Sequence, residues 1–341
     1  NKDNVKLYGV VKDNDRLQEC LATQKPLTGE EEVFKDDRWV WVSEEGTHVA
    51  IDREHKIVAV VRITPWEKVQ AVVKTTANTL MKWSGCVQPI ESNSAHKTHA
   101  KGTDHRAGEM CGVGWHPAFY KGKSIAAYSP RVGREDDYKE LVENGSLLKV
   151  LGSFRKGLAS LYPGGSKSLE EEAFTHNVPH AAATEYDPED SETETGPNCI
   201  TVTHHGFCNR PHQDNDWSSA VYGRWWVAKK TDDGYTLDPE ADHNQVKKGA
   251  FVFSEFGFGV DFERAKGLVE VFWRGCEDYH ATMVPHETEQ FTRFGTSMQL
   301  TRAVVNRIQK IGSHGVPPVK RVVTPADSLA MRAGSNSRKR R

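Results

Sequence analysis

The chain of 341 residues has no apolar run approaching the roughly 20 residues that a bilayer crossing requires, and no basic cluster leading into a greasy N-terminal segment. A membrane-spanning helix and a secretory leader are therefore not expected, and the chain is expected inside the cell. Cysteine is sparse. Cys20, Cys86, Cys111, Cys199, Cys208 and Cys276 are scattered, without a CxxC pair or a dense framework, so reduced thiols rather than disulfides are expected. Net charge is almost absent, with 45 basic residues against 47 acidic ones, so composition names no anionic partner and any nucleic-acid surface must be local. There is no internal repeat. The remaining character is that of a globular protein, 37% hydrophobic and long enough to bury a substantial core as one large domain with extensions. The first residue is not Met, as expected of a piece of a longer protein.

Residues 37–63, DRWVWVSEEGTHVAIDREHKIVAVVRI, alternate β-branched and aromatic residues with polar ones and predict two or three hairpin strands. Thr64 and Glu67 at capping-box spacing, with Pro65 at the first helical position, predict an amphipathic helix over 66–83. Residues 96–123 are rich in Gly, His and Lys without sustained period and predict a long loop. A second helical block is expected over 136–162, broken at Gly145 and stopped by PGG. The acidic, apolar-poor stretch 184–197 predicts a solvated loop. From 198 to 305 several short strands separated by Gly, Asp and Pro predict a sandwich or jelly roll. The organisation expected is an N-terminal extension over 1–135 with hairpins, helix and basic loop, a core over 136–310, and a basic tail over 311–341.

Residues 210–217 read RPHQDNDW and follow the strand-like NCITVTHH. In extended backbone, side chains i and i+2 share a face, so His212 and Asp214 point at one spot. An HxD pair alone is common by chance. The β-rich block adds His280, in DYHATMVP, with His286 its nearest rival. Two histidines and a carboxylate form the facial triad that leaves neighbouring positions on Fe(II) open for a chelating α-keto acid and dioxygen. A chelated 2-oxoglutarate also needs a cation for its distal carboxylate, which a guanidinium can grip with two parallel hydrogen bonds. In the strand FTRFGTSMQLTR, Arg293, Gly295 and Ser297 share a face and Arg302 falls on the other. Arg293 and Ser297 are therefore the candidate cosubstrate residues. Zinc hydrolysis is the competing chemistry of such ligands, and Arg293 soon after the distal histidine favours iron and an oxoacid.

With GPNCITVTHHGFCNRPHQDNDW, YGRWW, GLVEVFWRGCEDYHAT and FTRFGTSMQLTR in view, residues 196–305 resemble the TET/J-binding-protein family of Fe(II)/2-oxoglutarate dioxygenases, most closely the TET-like proteins of mushroom-forming fungi. The resemblance implies an α+β fold with a double-stranded β-helix (jelly roll) core, flanking helices and an N-terminal β-hairpin extension. It implies Fe(II) on His212, Asp214 and His280, 2-oxoglutarate on Arg293, and dioxygen as oxidant. It further implies double-stranded DNA as partner, with 5-methylcytosine oxidised through hydroxymethyl to formyl and carboxyl. The cysteine-rich zinc segment of animal members has no counterpart, and Gly295 stands where a hydroxyl is often found.

The same oxidation of a methyl on nitrogen gives a carbinolamine that sheds formaldehyde, so N6-methyladenine is a second expected substrate. A stacked methyl is out of reach, and the base must be flipped into a pocket. Asn215, Asp216, Trp217, Tyr222 and Phe294 are the candidate base contacts, with rim and core packing as the plainer role of each. Lys97, Lys101, Arg106, Lys121 and Lys123 are the candidate phosphate contacts. His96, His99, His105, Cys111 and His116 offer a weaker zinc alternative without finger spacing. The SRKRR ending suggests a nuclear address, and a monomer is expected. A protein hydroxylase, or a DNA-binding module with an inactive oxygenase fold, are the competing functions.

Overall fold

The computed structural model describes residues 4–35, 38–90, 108–187, 189–190, 193–311 and 321–339, with side chains up to 332. In chain order the elements are β1 (Val5–Gly9), α1 (Asn14–Ala22), β2 (Val40–Val42), β3 (Gly46–Ile51), β4 (Ile57–Thr64), α2 (Ala71–Cys86), β5 (Glu109–Pro117), β6 (Ile125–Ala127), α3 (Glu135–Glu143), α4 (Ser146–Leu161), α5 (Pro163–Thr175) and β7 (Cys199–His204). There follow β8 (Ala220–Thr231), β9 (Gly234–Thr236), β10 (Lys247–Lys248), β11 (Phe251–Phe253), β12 (Phe258–Val260), β13 (Leu268–Arg274), β14 (His280–Thr282), β15 (Pro285–His286), β16 (Phe291–Gln299), α6 (Arg302–Gln309), β17 (Val322–Val323) and α7 (Pro325–Lys339).

The architecture is α+β with a jelly-roll core. The large sheet runs β1-β3-β4-β13-β8-β16-β7-β5-β6-β17, with β9 on β8. A smaller sheet, β14-β11-β12-β2, faces it. The central strands of the large sheet are buried on both faces, which is why AVYGRWWVA in β8 is a nearly continuous apolar run. Alternation along β8 sends Val221 and Trp225 toward the small sheet, where they pack with Phe251, Phe253 and Phe258. Tyr222 and Trp226 point the other way, onto Phe154 and Leu158 of α4. Burial of each such aromatic or aliphatic side chain contributes about 1.5–3 kcal/mol.

Sequence and structure part company at identifiable places. Thr64 ends β4, paired with Leu268. The chain then makes a single 3-10 turn at Trp66–Lys68 and becomes extended at Val69 (φ −72°, ψ 128°), so the helix starts only at Ala71. Gly145 breaks the second helical block as expected, in the left-handed conformation (φ 72°). The block stops before PGG as expected, α4 ending at Leu161, but Pro163 opens a further helix, occupying the first turn of α5, where its missing N–H costs nothing. Residues 109–117, expected within a loop, form β5. Its glycines serve close packing, since a Cβ on Gly112 would sit 2.2 Å from the Tyr128 ring and one on Gly114 (φ +105°) 2.2 Å from the Asn198 carbonyl. The strands β3 and β4 join the large sheet directly through β13. All six cysteines are unpaired. Among the described residues no helix is long and apolar enough to cross a membrane.

Candidate metal centre

His280 opens β14 in the small sheet, and His212 lies in the connection after β7 that passes beside it. The two exchange both backbone hydrogen bonds, His212 N–H to His280 O at 3.0 Å and His280 N–H to His212 O at 2.9 Å. This isolated antiparallel bridge brings the imidazoles together, with ring centroids 4.6 Å apart. Asp214 is anchored by its own N–H on the Gly275 carbonyl at 2.8 Å. Its Oδ1 is 3.4 Å from His212 Nε2 and its Oδ2 is 3.3 Å from His280 Nε2. One ligand atom from each residue lies within 4.8 Å of the others, a triangle that a cation about 2.0–2.2 Å from each atom can span. It is the one such group among the described residues.

The outer contacts orient the inner ones. His212 Nδ1 is 2.9 Å from the Arg210 carbonyl and His280 Nδ1 is 3.1 Å from the Asp278 carbonyl. A carbonyl only accepts, so each Nδ1 carries a proton and each Nε2 is the atom aimed at Asp214, donating to it when the ring is protonated and offering its lone pair when a cation takes that proton's place. Asp278 itself accepts from Arg274 Nε at 2.6 Å and Nη2 at 2.9 Å, which braces the turn leading to His280. Burial opposes the charge of Asp214, but the two imidazoles hold its carboxyl well below the ordinary value. Burial likewise opposes the charge of His212, and hydrogen bonding to Asp214 raises its pKa instead. Two imidazole Nε2 atoms and a carboxylate converging in a half-buried corner are what a divalent cation takes up, with release of any Nε2 proton.

Beside the triad opens a cavity of about 370 Å³, within the range of small-ligand sites. One wall is apolar, from Ile90, Met110, Phe207 and Pro211; another is polar, from Thr201, Thr203, Ser297 and Gln299. Trp225 and Trp273 also line it.

The family model of the Tet-like 2OG-Fe(II) oxygenase superfamily matches residues 67–285, well over half of the chain. The chain belongs to that superfamily. The protein is therefore a 2OG-Fe(II) oxygenase whose cofactors are Fe(II) and 2-oxoglutarate, with dioxygen as oxidant, and the triad fits the iron. Among solved structures, NgTET1 in complex with 5mC DNA is 11% identical with a TM-score of 0.41, the match covering 94% of this chain and 98% of that one. An oxidoreductase of the 2OG-Fe(II) oxygenase family from Burkholderia pseudomallei is 10% identical with a TM-score of 0.35, covering 72% and 88%. A Pseudomonas putida prolyl-4-hydroxylase is 12% identical with a TM-score of 0.29, covering 68% and 89%. Likeness at this level says nothing of substrate. The chain has no match among curated proteins.

In this oxygenase Ser297 lines the cavity, its hydroxyl donating to Gln299 Oε1 at 2.9 Å and paired with Thr201 Oγ1. Gly295 carries no hydroxyl for a steric reason: a Cβ there would lie 2.6 Å from Trp225 Nε1 and 2.8 Å from Thr203 Oγ1. Arg293 is on the expected face of β16 but is not among the residues lining this cavity. Its guanidinium, over the Phe262 ring, donates from Nε to His243 Nδ1 at 3.1 Å, from Nη1 to the carbonyls of Lys248 (2.8 Å) and Gly249 (3.4 Å), and from Nη2 to those of His243 and Val246. His243, fully buried, donates from Nε2 to the Gly267 carbonyl at 3.1 Å and holds Arg293 in place. Burial, then the Arg293 charge, keeps it neutral. The guanidinium that does line the cavity is Arg210, two residues before His212, with no side-chain partner among the described residues.

The candidate base contacts lie elsewhere. Tyr222 and Phe294 are in the core on the helix side of the sheet: the Tyr222 hydroxyl bonds to Glu270, and Phe294 stacks on Trp226. Strand parity decides this, since both alternate with neighbours that face the small sheet. Asp216 is buried and bridges to Thr301; burial and the Asp214 charge raise its pKa well above the ordinary range. Trp217 packs edge-on against His176 and under Arg302, and Asn215 is exposed. None of the five lines the cavity. His286 is on β15, outside the triad. Lys121 and Lys123 follow the far end of β5, about 20 Å along the strand from Met110. Lys97, Lys101, Arg106, His96, His99 and His105 lie outside the described residues; Cys111 and His116 are on β5 and join no ligand group. Among the lining residues that sequence reasoning missed, Thr201, Thr203 and Trp225 lie within the stretches that carry the resemblance and Met110 within the expected loop, and only the pairing register could have shown which of them face the cavity.

Proposed function

We propose that this oxygenase acts on the methyl group of a methylated base in DNA, converting 5-methylcytosine to its hydroxymethyl, formyl and carboxyl forms and removing the methyl of N6-methyladenine. The observation that carries the reading is the His212–Asp214–His280 cluster, its Nε2 atoms bared by backbone carbonyls beside a cavity, in a member of the Tet-like superfamily. Bound iron and 2-oxoglutarate supply the oxidising power that replaces a C–H bond by C–OH with dioxygen. The chain's own part is to hold and orient. Apolar side chains together with hydroxyls and an amide around one cavity suit a flipped base, whose faces stack while its edge is hydrogen-bonded.

Arg293 is proposed to hold the distal carboxylate of 2-oxoglutarate, with Ser297 nearby. The weak 3.4 Å contact from Nη1 to the Gly249 carbonyl is the one most readily exchanged for a carboxylate oxygen. Residues 91–107 connect Ile90 and Met110, which both line the cavity and are joined by a 2.7 Å hydrogen bond from Ile90 N to Met110 O. Lys97, Lys101 and Arg106 are the proposed phosphate contacts, for an enzyme working on nuclear DNA.

The test is to load the protein anaerobically with Fe(II) and 2-oxoglutarate, admit oxygen, and analyse nucleosides from methylcytosine and methyladenine duplexes by mass spectrometry. Oxidised cytosine, or loss of N6-methyl, with matching succinate is expected. Succinate formation stimulated by peptides and indifferent to methylated duplex would replace the reading by a protein hydroxylase.

A further inference from the structure

On the helix side of the large sheet, away from the iron cavity, lies a second hollow of about 590 Å³, walled by β4, β8 and β13 below and by α4 and the first turn of α2 above. Its charged lining is Arg62, Lys68, Lys149, Lys156 and Arg224 against a single acid, Glu270. Strand register sets the floor, because Glu270 pairs with Arg62 on one side and Arg224 on the other, placing the three side chains in one row. Arg62 Nε donates to Glu270 Oε2 at 2.7 Å, and Arg224 Nε stands 3.4 Å from Oε1. One carboxylate between two guanidiniums leaves a positive charge over, at a floor where Arg224 is only 3% exposed.

The upper wall adds to that charge instead of offsetting it. Lys149 and Lys156 are seven residues apart and so on one face of α4, both exposed, and neither side chain has a hydrogen bond or ion pair among the described residues. Lys68 is paired with Glu45, which does not line the hollow. The start of α2 faces in as well, and its capping residue Gln70 makes no side-chain capping bond, so the positive end of the helix is uncovered there. Space is kept open by small residues: a Cβ on Gly152 would meet nothing within 4 Å, while Gly157 lets α4 approach the Tyr222 hydroxyl. Ser160 already donates nothing but accepts from Arg62 Nη1 at 3.0 Å, leaving its own hydroxyl proton for a ligand.

We propose that this hollow is a binding site for a phosphate group, held by Lys149 and Lys156 over the Arg62–Glu270–Arg224 row. A tetrahedral dianion answers the excess charge and accepts from lysine, serine and the helix end together. The site shares no lining residue with the iron cavity. The group can belong to a free phosphorylated molecule or to a nucleic-acid backbone, and the experiment separates the two.

Pyrophosphate is titrated calorimetrically into the metal-free full chain and into Lys149→Glu and Lys156→Glu, with Asp214→Asn as a control that alters the iron centre. Saturable binding of one pyrophosphate per chain is expected, weakened about tenfold or more by either lysine change and unchanged in the control. No saturable binding, or equal binding in the lysine variants with their circular dichroism intact, overturns the site. A changed affinity in the Asp214 variant with the lysine variants unaffected moves the anion to the iron cavity and equally overturns it. Competition by an unmethylated duplex marks a backbone phosphate as the ligand, and indifference to duplex marks a free phosphate.

Discussion

Replacing Gly295 by Ala puts one methyl group against Trp225 and Thr203, which both line the iron cavity. The new Cβ would lie 2.6 Å from Trp225 Nε1 and 2.8 Å from Thr203 Oγ1, so each neighbour must retreat by about 0.6–0.8 Å to reach an ordinary contact. Neither retreats freely. Trp225 is 6% exposed and packed on Phe251, Phe262 and Trp273, with ring centroids 5.0, 5.6 and 6.0 Å away. Thr203 Oγ1 is tied to the Gly295 carbonyl at 3.1 Å. Overpacking of this kind costs about 1–3 kcal/mol. The loss of a flexible glycine from the unfolded chain returns about 0.4–1 kcal/mol, so a net loss of about 1–2 kcal/mol is expected. In a chain of this size that lowers Tm by roughly 1–3 °C, readable by calorimetry or differential scanning fluorimetry. Because Trp225 also lines the cavity, 2-oxoglutarate turnover should fall with it. A Tm that rises by the glycine-to-alanine increment alone, with turnover unchanged, would refute the packing argument.

Acid stability should carry the mark of His204. It is 2% exposed, and burial, reinforced by the neighbouring His205, pulls its pKa down to about 3. The unfolded chain then binds a proton that the folded chain refuses, so stability is full above about pH 6.5 and falls by about 1.4 kcal/mol per pH unit between there and pH 3. Urea midpoints for His204→Gln should show a shallower acid slope than the native chain; equal slopes would remove His204 as the cause. His243, neutral for the same reason, acts in the same direction. For the cosubstrate, Arg293→Lys should raise the KM for 2-oxoglutarate about 10–100-fold, since an ammonium cannot replace a planar fork, whereas Arg210→Met should leave it near the native value. The reverse pattern transfers the carboxylate to Arg210.

The triad was legible because metal chemistry restricts residue type and the β-bridge restricts order: HxD in the connection after one strand and a histidine at the start of another are visible without coordinates. The jelly-roll strands were legible for a similar reason, as β8, β13 and β16 carry the β-branched and aromatic residues their burial demands. What was hidden depends on partners remote in sequence. Gly112 and Gly114 read as loop residues until Tyr128 and the Asn198 carbonyl are seen to press against them. Tyr222 and Phe294 are near the ligands in sequence but lie across the sheet, because one step along a strand reverses the face. Thr64 has a capping-box partner at Glu67 yet pairs with Leu268 as the last residue of β4, tertiary pairing overriding a local signal. His243 fixes Arg293 through a contact spanning 50 residues, which no local pattern announces.

The iron centre itself offers the most direct trial. Anaerobic titration of Fe(II) in the presence of 2-oxoglutarate, followed by calorimetry and by the visible charge-transfer absorption of a chelated 2-oxoacid, should give one ion per chain. His212→Ala, Asp214→Ala and His280→Ala should each remove the absorption and weaken binding about 100-fold or more while circular dichroism is preserved. Native stoichiometry and absorption in any one of these variants would contradict the assignment of the iron to this triad.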